Sequence, residues 1–123
     1  MRIAYLTTDE VNRAWAEELA DRTAHTLTLS LGPPDQQVDA VVYDLDYLPI
    51  DVREHVLTTL QARRPALPVA VHSYNLEDEC IEALQHNGVL AYRRLQSKVF
   101  RQLSSVVARR RRSHYAAGAK AAA

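Results

Sequence analysis

Five short apolar segments alternate with four amphipathic helical patterns along this chain, and no other feature constrains its fold as strongly. Arg2–Leu6 reads as a strand. Asp9–Asp21 reads as a helix with Val11, Trp15 and Leu19 at four-residue spacing on one face, and Thr8 or Asp9 can cap its start. Thr26–Leu31 alternates leucine with hydroxyl side chains, the period of a strand with one wet face. Ala40–Tyr43 is a third strand. Asp51–Ala62 is a helix presenting Val52, Val56 and Leu60, and it ends before Pro65. Val69–His72 is a fourth strand. Asn75 is placed to cap the next helix, with Asp78 three residues on as a near-match to a capping box. Ile81 and Leu84 point inward there, and Gly88 stands where a left-handed helix terminator belongs. Val89–Tyr92 is the fifth strand. Ser97 opens the last helix, striped by Val99, Phe100, Leu103, Val106 and Val107.

Strands alternating with helices imply a parallel sheet covered on both faces, a three-layer α/β domain. One connection is too short for that scheme. Only Gly32 to Asp39, with Pro33-Pro34 inside, separate the second and third strands. Eight residues span at most about 26 Å, enough to cross the sheet but not to fold a helix. The second crossover helix is therefore expected to be missing or vestigial. The alternation of Thr26–Leu31 fits an uncovered face, because a strand buried on both sides reads as continuously apolar.

A length of 123 residues with 47% hydrophobic content suffices for one domain with a real core. The expected boundaries are a folded unit at 1–112 and a disordered Ala-rich tail at 113–123, which has little to pack. No apolar run matches a membrane span and no signal-peptide pattern opens the chain, so membrane insertion is not expected and a cytoplasmic place is. Cys80 is the one cysteine, which excludes an internal disulfide. Net charge is zero as a sum of opposites. All 15 acidic residues precede residue 109, while Arg109, Arg110, Arg111, Arg112 and Lys120 follow it, so ten basic residues in the body leave it at −5 against a tail of +5. The body is expected to be a poor nucleic-acid binder. The arginine run is read first as a solvated helix end opposing the helix dipole, with weak nucleic-acid association as the sharper alternative.

Chemistry concentrates on Asp44, which closes the run Asp39-Ala40-Val41-Val42-Tyr43-Asp44. Ligands of parallel sheets bind outside the carboxyl ends of the strands, where this carboxylate falls. The five histidines show no ligand spacing, and no resident metal site is expected. No Gly-x-Ser-x-Gly elbow supports a hydrolase around His72 and Ser73, and three glycines leave no phosphate-cradling loop. No enzyme motif is present.

The third, fourth and fifth strands resemble those of response-regulator receiver domains, over about residues 1–108. Asp44 is similar to the phosphoacceptor of that family. Ser73, after Pro68-Val69-Ala70-Val71-His72, stands at its switch hydroxyl, and Tyr92, after Gly88-Val89-Leu90-Ala91, at its rotating aromatic. The resemblance implies a flavodoxin-like fold of strand order 2-1-3-4-5. It also exposes departures. The family's metal-binding acid pair falls on Thr7 and Thr8, its lysine on Leu95 with Arg93 and Arg94 nearby, and the proline after that lysine on Gln96. Such atypical members are called pseudo-receivers. A second register, with the first strand two residues longer, makes Asp9 and Glu10 the acid pair and keeps the same side chains inward.

The resulting expectation is a signalling module that binds a protein partner or a second copy, independently of phosphorylation and without a cofactor. Mg²⁺ enters only if Asp44 is phosphorylated, which is the alternative reading. By resemblance, the contact face is the fifth strand and last helix. There Arg93, Arg94, Lys98 and Arg101 are basic beside acidic Glu82 and its neighbours, a pattern suited to pairing.

Overall fold

The computed structural model describes residues 1–23, 28–31 and 37–122, with side chains for 1–23 and 37–113. Its elements in chain order are β1 (Arg2–Leu6), α1 (Glu10–Thr23), β2 (Thr28–Leu31), β3 (Ala40–Asp44), a 3₁₀ turn (Leu45–Tyr47), α2 (Ile50–Ala62), β4 (Val69–His72), α3 (Asp78–His86), β5 (Leu90–Tyr92) and α4 (Ser97–Ala122). All strand pairs are parallel, in the order β2-β1-β3-β4-β5. This is the doubly wound topology the alternation implied. No helix separates β2 from β3 among the described residues. The side-chain alternation expected for Thr26–Leu31 and residues 32–36 of the short crossover lie outside them.

The sheet divides two cores. Ile3, Tyr5, Ala40, Val42 and Ala70 face α1 and α4, meeting Leu19, Phe100 and Leu103. Ala4, Val41, Val69 and Val71 face α2 and α3, meeting Val56, Leu60 and Leu84. Burial on both faces explains why the central strands read as unbroken apolar runs.

Several local expectations are corrected. The buried stripe of α1 is Ala16, Leu19 and Ala20, whereas Val11 is 74% exposed. Small residues let α1 approach α4 closely, and large side chains at those positions would hold it off. Val52 is exposed on α2 while Val56 and Leu60 are buried. Asn75 does not cap α3, which starts at Asp78 behind Glu77 with no side-chain cap. The chain first buries Leu76 in an irregular segment, which postpones the helix. At the other end of α3 the expected terminator forms. Gly88 takes φ +78°, its N–H donates to the Gln85 carbonyl and the Val89 N–H to that of Leu84, a Schellman ending. The backbone of 113–122 continues α4. Alanine has the highest helix propensity, and extending an existing helix avoids the cost of nucleation.

Candidate functional site

Asp44 ends β3 at the carboxyl edge of the sheet and is fully buried. Its partners come from three elements. The Thr7 hydroxyl, one residue past β1, donates to Asp44 Oδ2 at 2.8 Å, and the Asn12 amide on the first turn of α1 donates to the same oxygen at 2.9 Å. Across the sheet, Asp44 is in register with His72, and His72 with Tyr92. His72 Nδ1 faces Asp44 Oδ1 at 3.8 Å, and that oxygen has no hydrogen-bond partner among the described residues. The other imidazole nitrogen, Nε2, lies 2.9 Å from the Tyr5 hydroxyl, and the two rings are near-parallel. Tyr5, Asp44 and His72 thus form a buried polar row inside an otherwise apolar layer.

The surroundings shift these groups. Burial first, and then the Asp44 charge beside it, push the Tyr5 phenol far above its usual range, so it remains a hydrogen-bond donor. Burial lowers the His72 pKa, and the charges of Asp44 and Asp46 only partly oppose this. Burial raises Tyr92 to about 12.

Ser73 is buried and does not reach for Asp44. Its hydroxyl donates to Asp46 Oδ1 at 2.6 Å, and the Tyr74 N–H donates to Asp46 Oδ2 at 2.9 Å. Asp46 thereby ties the turn after β3 to the turn after β4. Tyr92 is half-buried and its hydroxyl donates to Gln102 on α4. A chain of neighbours therefore runs from Asp44 through His72 to both Ser73 and Tyr92.

Strand β1 stops at Leu6 and does not extend two residues further. Asp9 caps α1 by accepting the Asn12 N–H at 2.9 Å, and Glu10 is exposed on the first turn. The second register is thus not adopted. The hydroxyls of Thr7 and Thr8 are spent as donors, to Asp44 and to the Tyr47 carbonyl. Both are neutral, whereas Mg²⁺ is usually held by one or two carboxylates together with phosphate oxygens and water. Leu95 is buried, and its carbonyl accepts from the Trp15 indole at 3.3 Å. Arg93 is committed to the start of α3, donating to the Leu76 carbonyl and, at 2.6 Å, to Asp78. The ionisable group that faces Asp44 is His72, on β4.

Glu82, Arg93, Arg94, Lys98 and Arg101 are all exposed around β5 and the start of α4. The arginine run is divided. Arg110 donates to the Ala66 carbonyl and Arg111 to Asp39, strapping α4 to the opposite end of the sheet, while Arg109 and Arg112 are exposed.

Sequence reading missed His72, Tyr5 and Asn12 as members of the site. Period-two alternation places Tyr5 and Thr7 on one face, but the pairing of Asp44 with His72 is a cross-strand register that no local pattern carries.

The fold is that of response-regulator receiver domains. The chain is similar to a response regulator receiver protein from Pseudoalteromonas atlantica, with a TM-score of 0.63 and 12% identity over 89% of this chain and 98% of that one. A signal receiver domain from Clostridium thermocellum gives 0.59 and 12% over 86% and 95%. The ChxR receiver domain from Chlamydia trachomatis gives 0.54 and 14% over 86% and 96%. No protein-family model matches the chain, and no curated protein sequence matches it.

Proposed function

We propose that this chain is a receiver-like signalling module that acts by binding another protein or a second copy, without phosphorylation, cofactor or catalysis. The observation that supports this reading is the enclosure of Asp44. The carboxylate that would attack a phosphoryl donor is fully buried, with one oxygen held by Thr7 and Asn12 and the other turned to His72. Phosphoryl transfer depends on positioning and on cations that neutralise developing charge, and Thr7, Thr8 and Leu95 supply neither. The exposed charges of Glu82, Arg94, Lys98 and Arg101 make β5 and α4 the proposed contact face. A cytoplasmic place is part of the same proposal. Among the described residues no helix is long and apolar enough to cross a membrane.

Incubation with acetyl phosphate and Mg²⁺, followed by intact-mass measurement, tests the reading. The expected result is no phosphoryl adduct. An adduct that Asp44→Ala abolishes would overturn it.

A further inference from the structure

The buried row Tyr5–His72–Asp44 holds one feature that the proposed function leaves unused. Asp44 Oδ1 is fully buried and has no hydrogen-bond partner among the described residues, while a ring nitrogen waits 3.8 Å away. Buried acceptors are rarely left unpaired, because desolvation is then uncompensated. The Tyr5 hydroxyl and His72 Nε2 lie 2.9 Å apart, a hydrogen bond whose direction follows the imidazole tautomer; where the phenol donates, the single hydrogen of the neutral ring sits on Nδ1. In that tautomer an N–H and a carboxylate oxygen face each other across 3.8 Å, a gap just too long for a hydrogen bond.

We propose that Tyr5, His72 and Asp44 form a proton-operated latch inside the sheet: uptake of one proton by His72 draws its Nδ1–H onto Asp44 Oδ1 and shifts the ends of β3 and β4 that carry Asp46 and Ser73. The proton comes from solvent and forms one N–H bond at Nε2. The Tyr5 O–H turns away, and its oxygen accepts the new Nε2–H. Only hydrogen bonds are exchanged otherwise. The Nδ1 contact becomes a charge-assisted bond to the carboxylate, of the stronger and shorter kind.

The groups facing His72 are few. Asp44 comes from β3, Asp46 from the turn after it, Tyr5 from β1 and Tyr92 from β5. Asp9, at the start of α1, and Tyr74 lie close enough to act on Tyr5. From α4 the same layer receives apolar Val99 and Phe100. The mechanical outputs are adjacent. Ser73 follows His72 directly, its N–H donates to the Tyr92 carbonyl at 3.0 Å, and its hydroxyl holds Asp46. Closing the gap therefore moves the turns after β3 and β4 together, and it reaches Tyr92 and Gln102 on the proposed contact face. Protonation of a histidine biasing a two-state element is a known kind of switch.

The latch rests on the reading of Asp44 as an internal acceptor, and the two can fail separately. A phosphoryl adduct at Asp44 refutes that reading, whereas a silent His72 refutes the latch alone. The test is a titration of the full chain from pH 8 to pH 5, following the His72 ring nitrogens and the backbone amides by NMR. His72 is expected to take up its proton in the folded state, with a midpoint below the ordinary value of about 6.5. The amides of Asp46, Ser73 and Tyr92 are expected to shift with that same midpoint. Asp44→Asn should lower the midpoint by about 1–3 pH units, the effect of removing an opposite charge this close. Tyr5→Phe removes the acceptor of the new Nε2–H and should lower the midpoint, while the Asp44 contact still carries the Ser73 response at that lower midpoint. The proposal is overturned if His72 stays neutral until the domain unfolds, or if it titrates without moving Ser73 and Tyr92. An unchanged midpoint in Asp44→Asn also overturns it. Should that variant not fold, the wild-type Nδ1 shift decides: a nitrogen that gains no hydrogen bond on protonation rules the latch out.

Discussion

The Thr7 hydroxyl donates to Asp44 Oδ2 at 2.8 Å while accepting the Asp9 N–H at 3.0 Å, so one neutral side chain links β1, β3 and the start of α1. A carboxylate at that position would set two negative charges against each other in a buried site. Threonine removes the repulsion and, with it, the anchor for a cation. Thr7→Val keeps the shape and loses both hydrogen bonds. It should lower stability by about 1–3 kcal/mol, read as a reduced midpoint in urea unfolding monitored by Trp15 fluorescence.

His72 makes stability depend on pH with a defined sign. Burial lowers its folded-state pKa below the unfolded value of about 6.5. Above that value neither state is protonated at this site. As pH falls through it, the unfolded chain binds the proton first, so stability declines down to the folded-state midpoint and then levels off. The slope in that window approaches about 1.4 kcal/mol per pH unit. His72→Gln, which retains a partner for Tyr5, should flatten this component in paired unfolding curves at pH 7.5 and pH 5.5. An identical pH dependence in both proteins would contradict the assignment.

Gly88→Ala tests the helix ending. The added Cβ would meet only the Arg64 guanidinium at 3.4 Å, a flexible group that can move aside. The strain lies in the backbone at φ +78°, which costs an L-residue about 1–2 kcal/mol and is partly offset by a less flexible unfolded chain. A net loss of about 1 kcal/mol in chemical unfolding is expected.

The arginine run makes a quantitative prediction about nucleic acid. Arg110 and Arg111 are bound to Ala66 and Asp39, Arg111 with its side chain still exposed, which leaves the exposed Arg109 and Arg112 as the remaining pair within the run. Two phosphate contacts give a slope of log affinity against log salt of about −2 on duplex DNA. Fluorescence anisotropy with a labelled duplex should show binding that is weak, sequence-independent and no steeper than this. A slope of the size many phosphate contacts produce would mean that the straps open.

The reach of sequence reasoning here follows from where each piece of information resides. The strands were legible because unbroken apolar runs such as Val69-Ala70-Val71 mark a strand covered on both faces, their order came from the resemblance to receiver domains, and Gly88 was legible because its conformation is local. The buried face of α1 was not, since Ala16 and Ala20 carry little hydrophobic signal and matter through what they allow α4 to approach. The start of α3 was misplaced because Leu76 answers to a distant core before it answers to Asn75. Asp44 was found from its place at a strand end. Its partners His72 and Tyr5 became visible only when strands separated in sequence were set in register.

The enclosure of Asp44 is the claim on which the functional account stands. Its most direct test is an amide NMR spectrum of the domain with Mg²⁺, before and after adding beryllofluoride, a stable mimic of an acyl phosphate. The account predicts an unchanged spectrum. Shifts spreading from Asp44 to Ser73 and Tyr92 would contradict it and make Asp44 a working phosphoacceptor.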